Sequence, residues 1–79
     1  MNYFKLTKHQ VIDENIAYTA MYLYKLIDRE MHLDELFQKY VNSKGTQLSS
    51  AIEKTLLLSL TFLFGLGKIN IIESMIVRS

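Results

Sequence analysis

Between Lys54 and Lys68 thirteen residues pass without a charge, TLLLSLTFLFGLG. Such a run admits a membrane anchor, a core helix, or a surface made for another protein. A bilayer-spanning helix needs about 20 predominantly apolar residues, and a run of this length is more often a buried helix. Gly65 and Gly67 close the run in the way glycine closes a helix in water. The remainder of the chain must therefore cover this helix or leave part of it for a partner. With 79 residues, 49% of them apolar, the chain has little material to do the covering. A domain this small buries only roughly 60% of the surface its unfolded chain exposes. Some apolar surface is expected to meet another molecule.

Composition removes several function classes. The chain has no cysteine, which excludes a disulfide scaffold and thiolate metal ligation. A net charge of +1, with both signs mixed along the chain, argues for no partner by itself, nucleic acid included. The opening residues MNYFKLTKHQ lack the apolar core and cleavage site of a secretion signal. The expected setting is the cytoplasm.

Patterning predicts one domain over residues 1–79, with residues 1–12 as an N-terminal arm. Asp13 is a suitable N-cap for a first helix reaching Arg29 or Glu30. Ile16, Ala20, Leu23, Tyr24 and Ile27 form its apolar stripe. MHL is expected to be extended, and Asp34 to cap a short second helix, ELFQKYV. NSKGTQ reads as a loop. Ser49 or Ser50 caps the third helix, which runs to Phe64. KINII and MIVR, separated by Glu73-Ser74, form a hairpin. The result is a mainly α fold with a small β-hairpin (α+β), in the winged-helix order helix, strand, helix, helix, strand, strand.

On a helical wheel Leu48, Ile52, Thr55, Leu56, Ser59, Phe62 and Leu63 face the core. Leu57 and Phe64 lie opposite, with Leu60 on the border, making a second apolar stripe. A helix that reads the DNA major groove needs Arg, Lys, Asn or Gln on that outer face. This one offers one lysine, one glutamate and large apolar groups. The stripe is either a partner-binding surface or a flank covered by the arm and hairpin.

The first helix also has an outer row, Tyr18, Tyr22, Lys25 and Arg29. Tyrosine and arginine suit protein hot spots, can stack on or steer nucleic acid, and also occur on ordinary solvated faces. Lys8 and His9 either dock on a partner or belong to a mildly basic terminus. The last strand, MIVR, is expected at a sheet edge, open to strand addition by a partner or by a second copy. No catalytic set emerges. His9 and His32 lack metal-ligand spacing, SKGT is no phosphate loop, and Ser49-Ser50 have no nearby base. The residues predict a non-enzyme without cofactor, metal or small-molecule ligand.

Three stretches carry a family resemblance: LTKHQVIDENIAYTAMYLYKLI, HLDELFQKY and LLLSLTFLFGLGKINI. Together they resemble the small middle components of bacterial ABC-three-component systems, among them Lamassu-type anti-phage and anti-plasmid defence. The resemblance implies a non-catalytic, kleisin-like adaptor. Such a subunit would bind an SMC- or Rad50-like ABC ATPase and couple it to an effector such as a nuclease, touching DNA only through the complex. Lys8, His9, Tyr18, Tyr22, Arg29, Leu57, Leu60 and Phe64 are the expected contact residues. The alternative is a winged-helix DNA-binding transcriptional regulator.

Overall fold

The computed structural model describes residues 15–79. The arm and the Asp13 cap lie outside them. Helix α1 covers residues 15–26, strand β1 Met31–His32, helix α2 Leu33–Lys44 and helix α3 Ser50–Gly65. Strands β2, Ile69–Ile72, and β3, Met75–Arg78, complete the chain. The fold is mainly helical, and its elements follow the expected order; the expected hairpin is part of a three-stranded antiparallel sheet.

Helix α1 stops earlier than its apolar stripe suggests. The Ile27 N–H is shared between the carbonyls of Leu23 and Tyr24, and a tight turn from Asp28 N–H to the Leu26 carbonyl follows. Lys39, on α2, donates its ammonium to the same Leu26 carbonyl at 2.9 Å. A cation at the negative end of a helix is favourable. Ile27 still enters the core from just beyond the helix.

Helix α2 starts one residue before the expected cap. Asp34 lies inside the first turn, and His32 precedes the helix without a side-chain cap. Its carboxylate, with that of Glu35, still occupies the positive end of the dipole. At the other end Asn42, Ser43 and Lys44 extend the helix into what composition reads as loop. Gly45, with φ +69°, then stops it: Gly45 N–H reaches the Asn42 carbonyl and Thr46 N–H the Val41 carbonyl. This is a Schellman motif, and glycine adopts its left-handed position without steric cost. Gly67 (φ +74°) ends α3 in the same way, with Gly67 N–H on the Phe64 carbonyl and Lys68 N–H on that of Leu63. At the start of α3 the Ser49 hydroxyl accepts the Ile52 N–H at 3.2 Å, the expected N-cap.

The strand order is β1-β3-β2. The expectation that the last strand lies at a sheet edge is therefore corrected. Met31 pairs with Ile76 and His32 with Met75 on one side of β3, while Ile69 to Ile72 pair with Arg78 to Met75 on the other. The two-residue strand before α2 supplies the neighbour that the C-terminal strand lacks in a bare hairpin. Arg78 fixes this end of the sheet to α1. It donates to the Tyr24 carbonyl at 2.7 Å and stacks 4.4 Å from the Tyr24 ring centroid.

The core gathers Ala20, Leu23 and Ile27 with Met31, Leu36, Phe37, Leu56, Leu60, Leu63, Ile69 and Ile76. Its position corrects the wheel of α3. Phe62 and Leu48, expected inside, are exposed, while Leu60, expected at the border, is buried. The sheet residues Ile69 and Ile76 belong to the same cluster as Leu60, so the covered arc is centred closer to Leu60 than apolar periodicity alone indicates.

Candidate functional site

Leu57 and Phe64 are separated by seven residues, two helical turns, and stand on one face of α3. Phe64 is 54% exposed and Leu57 nearly as much, whereas Leu60 between them is only 4% exposed. Across from them stands Ile71, because the turn at Gly67, between α3 and β2, folds the strand back beside α3. Leu33, from the start of α2, completes the wall. The six residues Leu33, Leu57, Leu60, Thr61, Phe64 and Ile71 line a concavity of about 190 Å³. Thr61 adds little polarity, since its hydroxyl donates to the Leu57 carbonyl at 2.9 Å within the helix. The groove is thus apolar, with Leu60 as its floor and Leu57, Phe64 and Ile71 as half-exposed walls.

Three of the sequence-derived contact residues meet here: Leu57, Leu60 and Phe64. The sequence reading missed Ile71 and Leu33. Ile71 is two residues from buried Ile69 in a strand, so alternation places both on one face. The available signal was that alternation, but the packing of the strand beside α3 is a long-range event.

The outer row of α1 does not stay together. Tyr18 is exposed, and with Met21, Tyr22 and Lys25 it borders a shallow depression of about 120 Å³. Tyr22 is engaged by α2: it shares a hydrogen bond with the Ser43 hydroxyl and packs edge-on against Tyr40 at 5.5 Å. The Lys44 ammonium lies 4.2 Å from the Tyr22 ring centroid. Arg29 falls beyond the end of α1 and pairs with Glu35 instead. Tyr22 and Arg29 therefore have intramolecular roles that the helical wheel does not reveal. Lys8 and His9 lie outside the described residues.

Among the described residues, no group of three or more His, Asp or Glu side chains is placed to hold a metal ion. None of the described helices is long and apolar enough to cross a membrane. The α3 groove has the most apolar lining of the concavities described, with no titratable side chain in its wall. It can bind apolar groups and has no means to transfer a proton.

The family model for ABC-three component (ABC-3C) system Middle Component 6 matches residues 6–79. The chain belongs to this family. It is also 46% identical over all 79 residues to the uncharacterised protein YydC of Bacillus subtilis (strain 168). The match covers 60% of YydC, so the chain spans about three-fifths of that relative's length. No solved structure matches it. Membership makes the chain a middle component of an ABC-three-component system.

Proposed function

We propose that this middle component is a non-catalytic adaptor, and that its α3 groove binds the SMC- or Rad50-like ABC ATPase of its system. The adaptor couples that ATPase to an effector such as a nuclease, in a cytoplasmic, Lamassu-like antiviral defence complex. In this reading the fold is winged-helix-like and acts as a kleisin-like subunit of an SMC-like assembly. DNA is touched only through the complex.

The supporting observation is the outer face of α3. In a DNA-reading helix this face carries base-contacting polar groups. Here it carries Leu57 and Phe64, half-exposed above a buried Leu60. Burial of a Leu or Phe side chain stabilises a complex by roughly 1.5–3 kcal/mol. Each half-exposed side chain has part of that still to gain.

The test is co-expression with the ATPase encoded beside this chain, followed by native mass spectrometry. A defined complex is expected, and Phe64→Ala weakens it about tenfold or more. A chain that purifies alone and shifts duplex DNA at physiological salt would instead be the DNA-binding regulator.

A further inference from the structure

Strand β2 ends the sheet, so one side of its backbone has no strand neighbour among the described residues. The register says which groups face outward. Ile72 pairs with Met75 across the two-residue turn, and Ser79 N–H reaches the Lys68 carbonyl at 2.9 Å. In an antiparallel ladder, inward and outward bonding alternate. Lys68, Asn70 and Ile72 therefore bond toward β3, while Ile69 and Ile71 direct N–H and C=O away from it. Ile69 is fully buried, whereas Ile71 is half-exposed. The accessible stretch of this edge is thus centred on Ile71, whose backbone groups have no turn or loop partner among the described residues.

Three further features bear on what fits there. Ile69–Ile72 contains no charge and no proline, the devices that protect sheet edges from pairing. The Ile71 side chain lies on the groove side, with Leu57 and Phe64. A strand added beside β2 would lie about 4.8 Å away, and every second side chain would stand on that same side. Area favours a narrow occupant: three half-exposed side chains fall well short of the roughly 800 Å² per partner that a standard globular interface buries. Strand addition supplies the remainder through main-chain hydrogen bonds.

We infer that the edge of β2 accepts an extended, uncharged segment of the partner protein as a fourth strand, whose alternate apolar side chains enter the α3 groove. This deepens the adaptor reading and rests on it for the identity of the partner.

Residue-resolved amide hydrogen exchange on the full chain, free and in the co-purified complex with the ATPase, tests it. The Ile71 amide is expected to slow about 100-fold on complex formation, as a buried ladder hydrogen bond requires. If a complex forms and Phe64→Ala breaks it, yet Ile71 exchanges at the free rate, strand addition is refuted while the adaptor reading stands. If no complex forms, the adaptor reading fails, and a capped peptide of alternating threonine and valine decides the edge by itself. Slowed Ile71 exchange with that peptide upholds strand addition, and an unchanged rate at millimolar peptide overturns it. Protection of Ile71 in the free chain that rises with concentration, together with a dimeric mass, would assign the edge to a second copy and overturn the partner assignment.

Discussion

Asp28 and Lys39 show how much one exposed ion pair does when it sits at a helix end. Lys39 bonds the Asp28 carboxylate at 3.1 Å while also capping the Leu26 carbonyl of α1. The hydrogen bond from Lys39 is the chief cause holding the Asp28 carboxyl below its ordinary value of 3.8. A group with a depressed folded pKa contributes stability that is fully present above its unfolded value. That contribution is lost as pH falls through the folded one. Stability should therefore be unaffected by this group from neutral pH down to about 4, and decline below that. In chemical denaturation across this range, Asp28→Asn should show a shallower acid-side decline than the natural chain. The effect is small because both partners meet solvent. Equal declines in the two proteins would mean that the pair does not form in solution.

Ser59 works at the same scale with the opposite logic. It is fully buried within an apolar cluster, and its hydroxyl donates to the Thr55 carbonyl at 2.8 Å. It also approaches the Ile16 carbonyl at 3.4 Å, which sets α1 against the middle of α3. The Thr55 carbonyl retains a helical backbone bond without it. Ser59→Ala is expected to change unfolding free energy by less than about 1 kcal/mol, since the donor leaves no unpaired group behind. A loss above about 3 kcal/mol in urea denaturation would show that the Ile16 contact bears more of the α1–α3 packing than its length suggests.

Among the elements, the β2–β3 hairpin departs most from local preference. Glu73 (φ +52°) and Ser74 (φ +68°) are both left-handed, the conformation of a type I′ turn. Asn-Gly is the preferred pair there, because other residues pay for the contact of Cβ with the backbone. Replacing both, Glu73→Asn with Ser74→Gly, should stabilise the domain by about 1 kcal/mol. For a domain of this size, thermal melting would rise by roughly 4–8 °C. An unchanged melting temperature would mean that the turn adopts another geometry in solution.

Across the whole molecule, α3 divides its apolar residues between two tasks. Leu56, Leu60 and Leu63 are buried with the sheet and the other helices, while Leu57 and Phe64 stand half in solvent. Leu58, Phe62 and Leu66 make a further exposed group on the opposite flank. Neighbouring positions should therefore respond differently. Leu63→Ala creates a core cavity and should cost about 2–5 kcal/mol. Phe64→Ala removes a half-exposed ring and should cost less than about 1.5 kcal/mol of stability while weakening the complex. Urea denaturation of both variants measures the contrast. If Phe64→Ala proves as destabilising as Leu63→Ala, Phe64 is a core residue and the groove is not a binding surface.

The sequence by itself determined what each segment is. Ser49 caps α3, Gly45 and Gly67 close their helices, and the apolar runs after Gly67 become strands. These outcomes depend on hydrogen bonds and sterics within a turn or two, so neighbouring residues suffice to specify them. The apolar character of the α3 outer face was legible for the same reason, since a helical period places Leu57 with Phe64. Tertiary structure alone decided how the segments meet. It set β3 between β1 and β2, rotated the buried arc of α3 toward Leu60, and drew Tyr22 and Arg29 into contacts with α2. It also brought Ile71 beside Phe64 to complete the groove. Most of these depend on contacts between separate elements, some far apart in the chain, where many pairings satisfy the same local pattern and only their joint formation selects one.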